Sequence, residues 1–144
     1  MNKIILPGSS VYLFVMMIKY DMVTIDEMES MLDEMASELP LEFFEYLNGG
    51  IMLLPEIKFH NKSRRNDLVV LGEYHQDKNM GRYIVIYYGS FSRLFSHLSK
   101  EDLSEKLKGT LKHEFRHHLE TLSGEKGLSV RDAEDIARYL GQKY

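Results

Sequence analysis

The sequence contains no cysteine. That excludes disulfides and thiolate metal ligands, and leaves histidine and carboxylate side chains as the groups able to hold a cation. Long apolar runs are lacking too. Ser10 to Ile18 (SVYLFVMMI) is nearly all apolar, yet falls far short of the roughly 20 residues that a membrane-spanning helix needs. It follows a lone Lys3 and no small-residue cleavage site succeeds it, a poor match to a signal peptide. Positive charge is outweighed, since 18 Lys and Arg against 22 Asp and Glu leave a net charge of −4. No basic stripe is interleaved with aromatics, so neither nucleic acid nor a membrane is expected as a partner. There is no repeat, low-complexity tract or interdomain linker. Lack of cysteine fits a cytoplasmic location.

What is present suits one globular domain. The chain has 144 residues, 44% apolar and 28% charged, enough for a single core. Residues 1–23 read as an N-terminal extension, with an added strand as the alternative, and residues 24–144 as the single domain. Thr24-Ile25-Asp26-Glu27 is a capping box, followed by a helical stripe of Ile25, Met28, Met31, Leu32 and Met35 that runs to about Leu39. Pro40 ends that helix, a short second helix is expected over Leu41 to Leu47, and Asn48-Gly49-Gly50 breaks it. Strands are expected at 51–54, 68–75 and 82–88, with a polar, basic loop over 59–67 and a hairpin turn over Gln76 to Gly81. After a helical turn or two over 90–98, Ser99 caps a long helix reaching about Leu122, where Gly124 and Gly127 are expected to stop it. Ser129 then opens a last helix.

The long helix carries the chemistry. Residues 112–120 read Lys-His-Glu-Phe-Arg-His-His-Leu-Glu, which contains His-Glu-x-x-His. Residues i and i+4 lie about 40° apart around a helix, so the imidazoles of His113 and His117 can converge on one cation. Zinc suits neutral imidazole and a tetrahedral site with one position open to water. Glu114, about 100° round from His113, is placed to take a proton from that water. The bland alternative is a charge-rich solvated helix face. Against it, Leu107, Leu111, Phe115, Leu119 and Leu122 form an apolar stripe that docks the helix and leaves the histidines at the edge of a cleft.

Other matching pieces are Glu38-Leu39-Pro40 with Phe43 and Phe44, Leu47-Asn48-Gly49-Gly50, Leu71-Gly72-Glu73-Tyr74, and Gly81 through Tyr88. With the His-Glu-Phe-Arg-His-His-Leu-Glu segment at 113–120, the pattern resembles the small bacterial zincin-like metallopeptidases over about residues 24–140. The resemblance implies an α+β, zincin-like fold, with a small antiparallel or mixed three-stranded sheet packed against N-terminal helices and the motif helix. It implies Zn2+ as cofactor, His113 and His117 as its ligands, Glu114 as general base, and a peptide or protein as substrate.

The third ligand is left open. Commoner members of that family place Gly three residues after the second His and an acid or His three further on; Glu120 and Ser123 stand there instead. Glu120 shares the face of the two histidines, but lies about 4.5 Å beyond His117 along the axis. Asp132 and Glu134 on the final helix are rivals, and a site without a third protein ligand is the remaining case. His118 reads as a support or surface residue, and His60, His75 and His97 as ordinary histidines. Tyr83, Tyr87 and Tyr88 are candidate oxyanion donors, with strand packing the plainer expectation. Two functions compete: a zinc-dependent metallopeptidase in which Glu114 activates a zinc-bound water, and a non-catalytic metal-binding or protein-interaction module on the same scaffold.

Overall fold

Thr24 starts the first helix as its capping box dictates. Its hydroxyl accepts from the Glu27 amide at 3.1 Å, and its own amide donates to the Glu27 carboxylate at 2.7 Å. The computed structural model describes residues 22–125 and Arg138. Most of the N-terminal extension, and the expected last helix with Asp132 and Glu134, therefore fall outside the described residues.

Helix α1 spans Ile25–Ser37, followed by a 3-10 turn over Leu41–Phe44. The expected second helix goes no further because Tyr46 takes a left-handed conformation, φ 61°, which an α-helix cannot accommodate. Strand β1 is Gly50–Leu54, β2 Lys58–Phe59, β3 Val69–Val70, β4 Gly72–Asp77 and β5 Gly81–Tyr87. Helix α2 is Tyr88–Phe95, and α3, which carries the motif, is Lys100–Glu125. Ser99 caps α3 by accepting from the Asp102 amide at 3.1 Å. Gly124 does not stop it; a single glycine costs a helix about 1 kcal/mol, too little to end a docked one.

Two sheets form. One has the order β1-β5-β4, and the other is the two-stranded ribbon β2-β3. The hairpin β4–β5 is antiparallel with Glu73 opposite Val85 and His75 opposite Tyr83, as the alternating pattern predicts. β1 instead runs parallel to β5, Gly50 opposite Tyr83, so the three-stranded sheet is mixed and the fold is α+β. The apolar run 68–75 is not one strand. It divides at Leu71, so that β3 pairs with β2 and β4 with β5.

Side-chain alternation along β5 sends Ile84 and Ile86 into the core shared with α3 and Tyr83, Val85 and Tyr87 to the other face. From α3, Leu103, Leu107, Leu111, Phe115 and Leu119 enter that core; α1 adds Met28, Leu32 and Met35. Phe115 lies between Phe43 and Phe44, ring centroids 5.9 and 5.1 Å away. Burial of each such side chain stabilises by about 1.5–3 kcal/mol, which holds α3 against the sheet.

Two glycines set close approaches. A Cβ on Gly72 would stand 3.0 Å from Thr110 Cγ2 of α3, so its absence lets β4 lie tight against the motif helix. A Cβ on Gly89 would stand 2.6 Å from the backbone carbon of Glu56, where the Gly89 amide also donates to the Glu56 carbonyl at 3.2 Å. Gly89→Ala is accordingly expected to destabilise the protein by about 1–3 kcal/mol in urea unfolding, even though alanine favours helix by about 1 kcal/mol. Unchanged or increased stability would show that the β2 base can shift without cost.

Candidate metal-binding cleft

The roll of α3 follows from its stripe. Taking Phe115 as facing the core and about 100° per residue, His113 and His117 fall on the opposite side, where half-exposure is expected. Glu114 falls at the boundary, about 100° from Phe115, and is only 6% exposed. A cleft of about 490 Å³ lies there, lined by Gly72, Glu73 and His75 of β4 and by His113, Glu114 and His117 of α3.

The two motif histidines converge. Their Nε2 atoms are 3.1 Å apart, with the rings edge to face at a centroid distance of 4.6 Å. Two nitrogens bound to one tetrahedral zinc at about 2.05 Å would be separated by about 3.3 Å, so the pair fits a divalent cation with little adjustment. Burial pushes the Glu114 carboxyl above the usual carboxylate range; the neighbouring charges of His113 and His117 oppose that, and Glu73 reinforces it.

Glu120 is brought to His117, but at its other nitrogen. One carboxylate oxygen lies 3.7 Å from Nδ1, while Nε2 faces His113, and the Glu120 side chain is 67% exposed. Around the helix it lies some 140° from Phe115 on the flank opposite Glu114. In this position its contact with the histidine pair is to the side of His117 away from His113. Among the described residues, no group of three His, Asp or Glu side chains is close enough to hold a metal ion together.

His118 is neither a surface residue nor a ligand. It is fully buried. Its Nε2 lies 2.8 Å from the Glu45 carbonyl oxygen, which can only accept, so Nε2 carries the proton. The Nδ1 atom must then accept from the Tyr74 hydroxyl, also at 2.8 Å. Burial lowers its pKa, with the Glu45 carbonyl opposing and Arg82 adding to the shift. This neutral imidazole ties the 3-10 turn, α3 and β4 together behind the cleft.

The β4 wall is the part that sequence reasoning missed. Glu73 accepts from the Tyr87 hydroxyl at 2.6 Å and lies 3.0 Å from His75 Nε2, while His75 stacks on Tyr83 at 5.1 Å. The local signal was their i, i+2 spacing on a strand, which puts both side chains on one face; the pairing with β5 adds Tyr87 and Tyr83 as their partners. Tyr87 and Tyr88, read as candidate oxyanion donors, are committed elsewhere. The Tyr87 hydroxyl serves Glu73 and that of Tyr88 serves the Val23 carbonyl.

Burial works to raise the Glu73 carboxyl, but hydrogen bonds from Tyr87 and His75 and the charge of Lys58 prevail and hold it below its ordinary value. A carboxyl whose pKa is lower folded than unfolded contributes stability in full above the unfolded value. It loses that contribution as pH falls through the folded one. Tyr87→Phe removes the shortest of these bonds while keeping the ring. It should cost about 1.5–3 kcal/mol near neutral pH, the worth of a hydrogen bond to a charged group. The deficit should shrink below the carboxylate range. A deficit independent of pH in denaturant titrations would contradict the assignment.

No protein-family model and no curated protein matches the sequence. Among solved structures, the chain is similar to a conserved hypothetical protein from Thermo thermophilus. Sequence identity is 29%, the TM-score is 0.59, and the likeness covers 70% of this chain and 98% of that one.

Proposed function

We propose that the protein is a zinc-dependent metallopeptidase with a zincin-like fold. The observation that carries this reading is the meeting of the His113 and His117 Nε2 atoms 3.1 Å apart, with the buried Glu114 carboxylate beside them in one cleft. His113 and His117 would hold the zinc. When bound, zinc supplies Lewis acidity to a carbonyl oxygen and to water.

The remaining work belongs to the chain itself. Glu114 accepts a proton from the attacking water. Its burial, which raises its pKa in the metal-free protein, disfavours the carboxylate and so strengthens it as a base. β4 lies at the edge of the three-stranded sheet, and an extended peptide can add to such an edge by backbone hydrogen bonds. Gly72, with no side chain, lets the start of β4 pack closely against Thr110 of the motif helix. The His118–Tyr74 bond sets the spacing between β4 and α3, and therefore between a peptide on the strand and the base on the helix. Glu120, 3.7 Å from Nδ1 of His117, would help to orient that imidazole toward the zinc.

Glu114→Gln should leave zinc binding intact, because the amide keeps the shape and Glu114 is not a ligand. Peptide hydrolysis should fall by a factor on the order of 10²–10⁴, the usual worth of a positioned general base. The double variant His113→Ala/His117→Ala should lose zinc in elemental analysis, and Glu120→Gln should weaken zinc affinity by about 10–100-fold. Undiminished zinc in the double histidine variant would overturn the site. A zinc-loaded wild type that cleaves nothing in a broad peptide library would favour a non-catalytic metal-binding or protein-interaction module.

A further inference from the structure

The cleft is bounded at the Gly72 end of β4 by a feature that the proposed chemistry leaves unused. β3 leads directly into β4, so the β2-β3 ribbon stands at that end. Its strands and connecting loop carry Lys58, Lys62, Arg64 and Arg65, all exposed. None of the four forms an ion pair among the described residues. In a protein of net charge −4, four unpaired cations within eight consecutive positions form a local patch of the opposite sign.

The patch is held in shape. Asp67, the acidic residue of the loop, is used up internally, accepting from the Arg64 amide at 2.9 Å and the Ser63 hydroxyl at 3.3 Å. The Ser63 hydroxyl in turn accepts from the Leu68 amide. Arg65 and Asn66 adopt left-handed conformations, φ 57° and 60°, a cost that the surrounding bonds must offset. Arg93 of α2 donates to the Asn66 carbonyl at 3.1 Å and lies over the Phe59 ring, 5.6 Å from its centroid. The ribbon base is fixed as well, since the Lys58 amide donates to Ser90 Oγ at 3.0 Å. Lys58 is also near enough to Glu73 to help hold that carboxyl down, which joins the patch to the cleft wall.

We propose that this ribbon is an exosite for acidic side chains of the polypeptide that occupies the cleft. The substrate class rests on the peptidase reading; the charge preference of the ribbon does not. A short acidic segment meets only the patch, because charges beyond a screening length of about 8 Å at physiological salt are little felt. A long polyanion such as nucleic acid would lie over the acidic remainder of the surface, and Arg93 already covers the Phe59 ring that could stack on a base. The ribbon therefore favours peptides with glutamate or aspartate on the side of the chain that lies toward Gly72.

Fluorescence anisotropy with the full chain tests it. The probes are a labelled neutral peptide ending in a short run of glutamates, its glutamine twin, a single-stranded oligonucleotide, and vesicles of anionic lipid. The glutamate peptide should bind about tenfold more tightly than its twin at low salt, the sum of several exposed pairs. That advantage should vanish in Lys62→Gln/Arg64→Gln/Arg65→Gln and in high salt. Unfolding of the triple variant, followed by circular dichroism, should match wild type; if it does not, the salt dependence of the wild type decides. Equal affinity for the two peptides, or an advantage that survives the triple substitution, overturns the proposal. So does tighter binding of the oligonucleotide or the vesicles through the same residues. Cleavage separates the two readings. Hydrolysis with equal kcat/KM for both peptides would remove the exosite and keep the peptidase. Selective binding without any hydrolysis would keep the ribbon as an acidic-polypeptide site and remove the peptidase.

Discussion

Leu103, Leu107, Leu111, Phe115 and Leu119 recur every four residues along α3 and are each no more than 5% exposed. Their burial fixes the roll of that helix about its axis. Once Phe115 is seated between Phe43 and Phe44, the azimuths of His113, Glu114 and His117 follow from the helical repeat. The histidines are left toward solvent, and Glu114 falls on the boundary where β4 closes over it. A helix rolled by one residue in the sense that carries Glu114 out to solvent would turn His113 toward the core. The same hydrophobic contacts that stabilise the fold therefore place His113, His117 and Glu114 relative to the strand.

Two carboxylates share the cleft and are driven apart. Glu114 is desolvated, with no hydrogen-bond donor among the described contacts to favour its charged form, and its pKa rises. Glu73 is also pushed up by burial, but the donors from Tyr87 and His75 outweigh it and the pKa falls. Neighbouring acids held at different protonation thresholds can take different roles. Here hydrogen bonds favour the charged form of Glu73 on the strand wall, while burial disfavours that of Glu114. Behind them, the neutral His118 bonds both to Tyr74 and to the Glu45 carbonyl, a buried polar bridge whose partners are satisfied at both nitrogens.

The ribbon and the cleft are linked through short, rigid connections. Gly89 lets α2 start against the backbone of Glu56, Ser90 receives the Lys58 amide, and Leu71 alone separates β3 from β4. Movement of the ribbon would therefore be passed to the first residues of β4.

Local signals were sufficient where local physics decides. The capping box at Thr24, the i, i+4 stripe of α3, the cap at Ser99, the hairpin β4–β5 and the convergence of His113 and His117 were all legible, because each depends on residues within a turn or two of one another. Other features depend on partners far along the chain and carry no local mark. The parallel pairing of β1 with β5, the division of the 68–75 run at Leu71, and the placing of Glu73 and His75 on the cleft wall are set by which strands meet. Glu120 illustrates the limit within a single helix. Its azimuth marked it as a neighbour of His117, but which ring nitrogen it meets depends on the imidazole's rotamer. That rotamer is chosen by His113 on one side and the open surface on the other, so it was decided only in the folded structure.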